Sequence, residues 1–393
     1  MLIGPSVGGM MRVSRAAAIA AALIVSVAGC GLLRGDNVSE GEVCPAPGGG
    51  AAPADTPPTV RTIVSGLCLP WGVAFLPDGT ALVTERDTAR LLSVTSDGQV
   101  TEVKTFSDVR PGGRPPHGQA GGGEGGLLGV AVSPNFATDK WVYAFYAAAS
   151  DNRVARFQLT EPGHVAGPHQ PILTGIPIAD DPKESGFRAH HGGRIAFGPD
   201  GMLYVGTGEA WLTREIAQDP RSLGGKILRI TPEGKPAPGN PFPDSPVWSM
   251  GHRNVQGLAW DSKGRMYAAE LGENKFDEVN LIEAGKNYGW PVVEGVSHDS
   301  RFVDPIVTWA PADASPSGIA VVGDHIYVAC LRGQRLYRVG LDGGNAEPML
   351  AGQYGRLRTV AVAPDGSLWI TTSNRDGSRQ QKPGDDRIVR LTP

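Results

Sequence analysis

Residues 194–208 read RIAFGPDGMLYVGTG, two short apolar segments on either side of Pro199-Asp200-Gly201. Proline presets the backbone for a turn, and glycine accepts the left-handed conformation that tight turns need. The stretch therefore predicts two antiparallel strands joined by a hairpin turn. The arrangement recurs along the chain, with turn signals at Pro77-Asp78-Gly79, Pro134-Asn135, Asp261-Ser262-Lys263-Gly264, Gly323-Asp324 and Pro364-Asp365-Gly366.

These six predicted hairpins are the basis of the fold prediction. Most are followed by a third strand that ends in a polar turn, as in KILRI at 226–230 and RLYRV at 335–339. One such unit cannot bury both of its faces alone, so repeated units are expected to pack radially into a ring. The sequence predicts an all-β, six-bladed β-propeller over residues 60–393. A pair of β-sandwiches is the alternative, and it explains the uniform repeat less well.

The composition agrees with a large β domain. The chain has 393 residues, of which 40% are hydrophobic and 19% charged, enough to bury a sizeable core. Its 55 glycines and 33 prolines are spread throughout, which suits short strands joined by tight turns. The formal net charge is −4, and no run of Lys or Arg exceeds two residues. This balance argues against nucleic acid as a partner.

The first 29 residues have the pattern of a lipoprotein signal peptide. Arg12 and Arg15 precede an apolar run over 16–28, and small residues lead into Cys30. Cleavage before Cys30 would expose its thiol to acylation, and the acyl chains would anchor the protein in lipid. We therefore predict a lipidated Cys30 and a location on the extracytoplasmic face of the cell membrane. The alternative is that the apolar run is retained as an uncleaved anchor.

Residues 30–59 are rich in Gly, Pro and Ala, which predicts a flexible tether between membrane and domain. Three cysteines remain beyond Cys30, at Cys44, Cys68 and Cys330. In an oxidising compartment one pair can form a disulfide, and the sequence leaves all three pairings open.

Propeller geometry predicts where the polar side chains meet. The innermost strand of each blade starts at one end of the central channel, and the second strand returns to that end. Residues before first strands and after second strands therefore converge on one mouth. Before first strands stand Glu124, His190, His191, His252, Arg253, Asn254, Arg356 and Arg358. After second strands stand Glu209, Glu270, Leu271, Gly272, Glu273 and Arg332. A histidine beside a carboxylate, ringed by arginines, suits a general base that faces an anionic cofactor.

Five long segments stand out at these positions: HHGGRIAFGPDGMLYVGTGE (190–209), SLGGKILRI (222–230), GHRNVQGLAW (251–260), DEVNLIEAGKNYGWP (277–291) and RLRTVAVAPDGSLWI (356–370). They resemble the soluble pyrroloquinoline quinone (PQQ)-dependent glucose/sorbosone dehydrogenase family. With PWGVAFLPDG (70–79) and GEGGLLGVAVSPNF (123–136), the resemblance covers about residues 60–390. It implies a six-bladed propeller that oxidises a sugar with PQQ as its cofactor.

The resemblance also implies roles for individual residues. His190 matches the base that takes the proton of the sugar C1 hydroxyl while hydride passes to the quinone, and Glu209 matches its orienting carboxylate. Residues matching the contacts to the cofactor's oxygens and carboxylates are Arg253, Asn254, Arg356 and Arg358, with Arg332 in place of a lysine. Planar guanidinium groups suit the three carboxylates of PQQ, because each can bind a carboxylate through two hydrogen bonds.

Some positions depart from the family pattern. Leu271-Gly272-Glu273 replaces Gln-Gly-Pro or His-Gly-Pro, whose carbonyls help to hold Ca²⁺ in the family, and here Gly272 and Glu273 are the predicted metal ligands. Glu124 replaces a substrate-binding glutamine, and Trp309 aligns with a stacking tryptophan. Both are predicted to bind substrate.

Other polar residues are predicted to serve the scaffold. Only one of two adjacent histidines can point into the channel, so His191 is expected to face outward from a turn. Hydrogen bonding within and between blades is the expected role of His252, Gln256, Asp277, Glu278 and Asn280.

Two functions follow from the sequence. The first is a membrane-tethered, extracytoplasmic PQQ-dependent dehydrogenase that oxidises an aldose or related polyol, assisted by Ca²⁺, and passes electrons to an acceptor that the sequence does not name. The second is a catalytically silent propeller that binds a carbohydrate or a protein partner at the cell envelope.

Overall fold

The computed structural model describes residues 60–112, 123–161, 164–178, 189–211, 214–376 and 381–392. The predicted signal peptide, Cys30, the tether and Cys44 lie outside these residues. Within the described ranges, no helix is long and apolar enough to cross a membrane.

Six four-stranded antiparallel sheets make up the domain. Blade 1 contains β2 (Pro70–Phe75), β3 (Ala81–Glu85), β4 (Arg90–Val94) and β5 (Val100–Thr105); blade 2 contains β6 (Leu127–Val132), β7 (Trp141–Ala147), β8 (Asn152–Glu161) and β9 (His164–Ile176). Blade 3 contains β10 (Gly192–Phe197), β11 (Leu203–Thr207), β12 (Lys226–Ile230) and β13 (Val247–Met250); blade 4 contains β14 (Val255–Trp260), β15 (Met266–Glu270), β16 (Asp277–Ile282) and β17 (Val307–Trp309).

The remaining blades complete the ring. Blade 5 contains β18 (Pro316–Val322), β19 (His325–Cys330), β20 (Arg335–Gly340) and β21 (Glu347–Met349). Blade 6 contains β22 (Leu357–Val362), β23 (Leu368–Thr372), β24 (Arg387–Leu391) and, as its outermost strand, β1 (Val60–Ser65). Val60 pairs with Leu391, so the first described strand joins the last blade and closes the circle. The fold is the predicted six-bladed β-propeller.

Helical structure among the described residues is limited to two short segments, α1 (Phe136–Asp139) and a 3₁₀ helix (Arg214–Gln218). The α1 turn lies in the hairpin of blade 2, where the sequence predicted a turn at Pro134-Asn135. In blade 3, Gly201 adopts a φ of +74° and donates its N–H to the carbonyl of Gly198 at 3.0 Å. The hairpin predicted from residues 194–208 therefore forms as expected.

Apolar side chains fill the spaces between neighbouring blades. Each of the six hydrophobic clusters draws residues from two or more neighbouring sheets, as where Leu82 and Leu91 of blade 1 join Val142 and Phe157 of blade 2. Near the axis, glycine lets the inner strands approach closely. A Cβ on Gly129 of β6 would lie 2.2 Å from the carbonyl oxygen of Gly193 in β10. Alanine there would force the two strands apart.

The two cysteines among the described residues differ in oxidation state. Cys68 is disulfide-bonded, whereas Cys330 is a free and fully buried thiol.

Candidate functional site

The predicted mouth forms where blades 3 and 4 meet. Gly208, just after β11, pairs with Asn254, just before β14, in an antiparallel bridge. The N–H of Glu209 donates to the carbonyl of Arg253 at 2.9 Å, and the N–H of Leu271 donates to the carbonyl of Asn254 at 3.3 Å. These backbone bonds bring the Glu209 segment, the 251–254 segment and Leu271 together, and the pairing of Gly192 with Thr207 adds the His190 segment.

His190 is buried and held in an unusual backbone conformation. Its φ is +57°, a left-handed value that few residues other than glycine adopt. Its N–H donates to Glu124 Oε2 at 3.1 Å, and its carbonyl accepts the N–H of Ala210 at 3.3 Å. A Cβ on Gly208 would lie 1.8 Å from the carbonyl oxygen of His190, so glycine is required at that position. The surroundings therefore fix where the imidazole stands.

The side chains of His190 and Glu209 form a buried pair. His190 Nδ1 lies 2.9 Å from Glu209 Oε1, and the glutamate side chain is 1% exposed. The other carboxylate oxygen accepts the N–H of Trp211. With Nδ1 engaged by the carboxylate, Nε2 is the ring nitrogen left to exchange a proton with a substrate. His190 and Glu209 therefore lie together as the resemblance implies, and their roles as base and orienting group stay a prediction.

Arg253 and Asn254 lie beside this pair with unused hydrogen-bonding capacity. Arg253 donates from Nη1 to the carbonyl of Leu271 at 3.0 Å and rests on the Trp290 ring at 5.3 Å. Asn254 Oδ1 accepts the N–H of Gly192 at 2.9 Å. Among the described residues, neither Nε of Arg253 nor Nδ2 of Asn254 finds a hydrogen-bond partner. Buried polar groups are rarely left unpaired, so these atoms are suited to a ligand.

The two predicted arginines of blade 6 differ in their surroundings. Arg356 donates from Nε to Asp376 Oδ2 at 2.7 Å, so an internal carboxylate already neutralises it. Arg358 donates from Nη1 to Gln256 Oε1 at 2.8 Å and, among the described residues, has no partner for Nε. Burial, with the Coulomb effect of Arg86, lowers the pKa of Arg358 to about 10. Arg358 is thus the buried cation with the greater need of an anion.

Glu124 faces both the histidine and the arginines. Burial would raise the pKa of this carboxyl, but the charges of His190 and Arg358, with the backbone N–H of His190, hold the pKa below its usual value. Because the carboxylate supports the His190 backbone, Glu124 has a structural contact in addition to its predicted contact with substrate.

The predicted metal ligands lie in the loop after β15. Gly272 donates its N–H to Asp277 Oδ1 at 2.9 Å, and the Glu273 carboxylate is held by both terminal nitrogens of Arg214, one of them at 3.0 Å. No group of three or more His, Cys, Asp or Glu side chains in the described part of the chain is arranged to hold a metal. The carbonyl of Leu271 accepts from Arg253. A role for Gly272 and Glu273 in binding Ca²⁺ stays a prediction.

A network of buried carboxylates holds the 251–254 segment in place. Glu270 accepts the N–H of Arg253 at 2.7 Å and pairs with His252 Nδ1 at 3.0 Å. Asn280 bridges Glu270 and Glu278, and burial with the neighbouring Glu270 charge raises the pKa of Glu278 to about 8. His252 Nε2 contacts Ser249 Oγ at 2.8 Å, so both ring nitrogens are engaged. His252, Glu278 and Asn280 act as scaffold, as predicted.

Two further scaffold predictions have different outcomes. Gln256 accepts hydrogen bonds from Arg358 and Ser317 and so has the predicted inter-strand role. His191 does not face outward: it is 3% exposed, and its Nδ1 lies 2.7 Å from Asn152 Oδ1. The expectation was wrong because Asn152, at the start of β8, supplies an internal partner for the imidazole.

The remaining predicted site residues lie away from the histidine pair or are exposed. Trp309 ends the outermost strand of blade 4, where it stacks on Tyr337 of blade 5 with ring centroids 5.0 Å apart. Its ring therefore packs between blades. Arg332 lies on the turn after β19 and is exposed. Their predicted contacts with substrate and cofactor remain predictions.

Three residues near the site were missed by the sequence reasoning. Arg86 follows β3 and is 6% exposed, and the rule that singled out Glu209 after β11 could have found it. Trp211 follows Glu209 by two residues and packs on His190. Arg194 lies inside β10. A charged residue on an innermost strand indicates a position that faces the central channel, so the sequence could have identified it. It donates to the carbonyl of Gln256 at 2.7 Å and to Thr359 Oγ1 at 2.9 Å.

Comparison with known proteins gives consistent results. A model of the glucose/sorbosone dehydrogenase family matches residues 67–381. An uncharacterised protein of Synechocystis sp. is 33% identical over 358 residues, which cover 80% of this chain and 84% of that protein. Aldose sugar dehydrogenase YliI of Escherichia coli is 26% identical over 83% of this chain and 92% of its own length. The solved PQQ-bound aldose sugar dehydrogenase of Streptomyces coelicolor is 48% identical, has a TM-score of 0.77, and is matched over 86% of this chain and 99% of that chain.

Proposed function

The chain belongs to the glucose/sorbosone dehydrogenase family, and we propose that it is a sugar dehydrogenase that uses PQQ to oxidise an aldose or related polyol. The observation that carries the proposal is the buried His190–Glu209 pair beside arginine and asparagine nitrogens that have no partner among the described residues. The similarity to a PQQ-bound aldose sugar dehydrogenase supports the same cofactor.

The chemistry of the site fits PQQ. The unpartnered nitrogens are Arg253 Nε, Arg358 Nε and Asn254 Nδ2, all donors, and two of them carry a permanent positive charge. PQQ has carboxylates and carbonyl oxygens, which are acceptors. Desolvation lowers the pKa of Arg253 as well as that of Arg358, so both side chains gain from a bound anion. Arg253, Asn254 and Arg358 would hold the cofactor.

The protein's own groups have distinct roles in the proposed reaction. When bound, PQQ supplies a quinone that accepts hydride. His190 accepts at Nε2 the proton of the substrate hydroxyl, because Nδ1 is engaged by Glu209. The carboxylate stabilises the imidazolium that forms, and it fixes the orientation of the ring. Glu124 and Gly208 keep the backbone of His190 in place.

Calcium is a separate part of the proposal. The Glu273 carboxylate is already paired with Arg214, so the predicted donor set is not free for a cation. Backbone carbonyls of the 271–273 loop remain hard oxygen ligands that suit Ca²⁺. No step of the proposed reaction depends on the ion.

Cofactor titration tests the proposed function. Purified protein should bind PQQ with a micromolar or lower Kd, seen as a change in quinone absorbance, and should then reduce an artificial dye with at least one member of an aldose panel. The absence of both binding and dye reduction, with and without added Ca²⁺, would remove the dehydrogenase proposal and favour a silent binding propeller.

The membrane anchor is a separate proposal. The small residues that lead into Cys30, after the apolar run at 16–28, support it. The disulfide at Cys68 suits a compartment outside the reducing cytoplasm. Changing Cys30 to Ser should move the protein from the membrane fraction to the soluble fraction and abolish labelling with radioactive palmitate. The wild-type chain is the control. If the C30S variant remains in the membrane fraction, the apolar run at 16–28 is an uncleaved anchor instead.

A further inference from the structure

Trp211 is an exposed tryptophan next to the proposed catalytic pair. The residue is 45% exposed, whereas Trp369 in the core is 2% exposed. Trp211 and the preceding Ala210 both adopt left-handed backbone conformations, with φ values of +61° and +62°. Such conformations are unfavourable for residues with a Cβ, and they persist where the surroundings hold them. Here the Glu209 carboxylate accepts the N–H of Trp211.

The indole lies against the imidazole of the proposed base. The ring centroids of Trp211 and His190 are 4.7 Å apart, with the planes inclined at 56°. The indole therefore borders the imidazole that a substrate hydroxyl would approach.

Support of His190 alone explains Trp211 poorly. Glu209 and Glu124 already fix the side chain and backbone of His190, so the imidazole does not need a third support. A tryptophan with nearly half of its surface in water also contributes less burial than a core tryptophan. Trp309, the tryptophan that the resemblance aligns with a residue stacking on substrate, already stacks on Tyr337.

We propose that Trp211 is a specificity-determining residue whose indole face receives the apolar face of the sugar ring beside the carbon that is oxidised. The inference rests on the proposed dehydrogenase function and deepens it. Sugar rings present C–H groups on one face, and ligand sites commonly combine an aromatic surface for such groups with a few fixed polar contacts. His190 supplies the polar contact, and Trp211 supplies the surface.

Kinetics of Trp211 variants test the inference. Changing Trp211 to Ala should raise KM for the best aldose about fivefold to tenfold, the loss expected of one aromatic contact, while kcat changes less than about threefold. Changing Trp211 to Phe should recover most of the affinity for sugar. The Kd for PQQ should stay the same in both variants. The matched control is Trp141→Phe, at the start of β7 and in contact with Arg156, which should leave KM unchanged.

The outcomes separate this inference from the function on which it rests. Normal turnover with unchanged KM in W211A and W211F would overturn the role of Trp211 alone. A fall in kcat at unchanged KM would overturn it too, because Trp211 would then support His190 rather than sugar. Wild-type protein that neither binds PQQ nor reduces dye would remove the proposed function and this inference with it. If W211A does not fold, W211F and a Trp211→Leu variant supply the same comparison.

Discussion

Changing His190 to Asn should reduce kcat for sugar oxidation by at least about a hundredfold and as much as ten-thousandfold, the range expected for loss of a general base. Asparagine tests the role of the imidazole more specifically than alanine does. It tolerates the positive φ of +57° at this position, and its amide cannot accept a proton at neutral pH. The backbone held by Glu124 and Ala210 should therefore persist.

The measurement is steady-state dye reduction together with a PQQ titration of the same variant. The Kd for PQQ should change less than about threefold, since the unpartnered donors that suit the cofactor belong to other residues. The matched control is His325→Asn, on the first residue of β19, which should leave kcat and the Kd for PQQ unchanged. Near-normal turnover of H190N would show that the proton leaves the substrate by another route.

Changing Arg358 to Met should raise the Kd for PQQ about a hundredfold, the loss expected of one or two charge-assisted hydrogen bonds. The same change should leave the cofactor-free protein as stable as the wild type or more stable. Burial and the neighbouring Arg86 charge lower the pKa of Arg358 to about 10, so its charge is costly without a bound anion. A methionine of similar length removes that cost and keeps the packing.

Two readouts on one variant make this prediction specific. PQQ titration gives the affinity, and thermal unfolding without cofactor gives the stability. Arg301→Met is the matched control, because Arg301 is an exposed arginine paired with Asp299 and should affect neither readout by much. An unchanged Kd for PQQ combined with a lower Tm in R358M would mean that Arg358 serves only the scaffold, through Gln256.

Much of the fold could be predicted because its signals are local. Each hairpin is specified by a turn such as Pro199-Asp200-Gly201 and by the apolar segments on either side of it. The number of hairpins then sets the number of blades. Residues before first strands and after second strands were predicted to converge on one mouth of the channel. His190 and Glu209 do lie together there, because strand direction alone determines which end of the channel they reach.

The partners of individual polar residues could not be predicted in the same way. Arg356 and Arg358 are two positions apart, yet one is neutralised by Asp376 and the other extends to Gln256 in blade 4. His191 was predicted to be a surface turn residue, but in the fold Asn152 of blade 2 lies against it. Each partner comes from a segment that local patterns do not connect.

The sequence by itself determined the propeller, the end of the channel at which the polar residues gather, and the family to which the chain belongs. Short-range turn chemistry and strand alternation are sufficient for the first two features, and the family follows from the resemblance carried by the long segments. Only the tertiary structure decided which cations lack a partner, that Trp309 packs between blades, and that Trp211 lies against His190. Those outcomes depend on distances between side chains of different strands and blades, which are set when the ring closes.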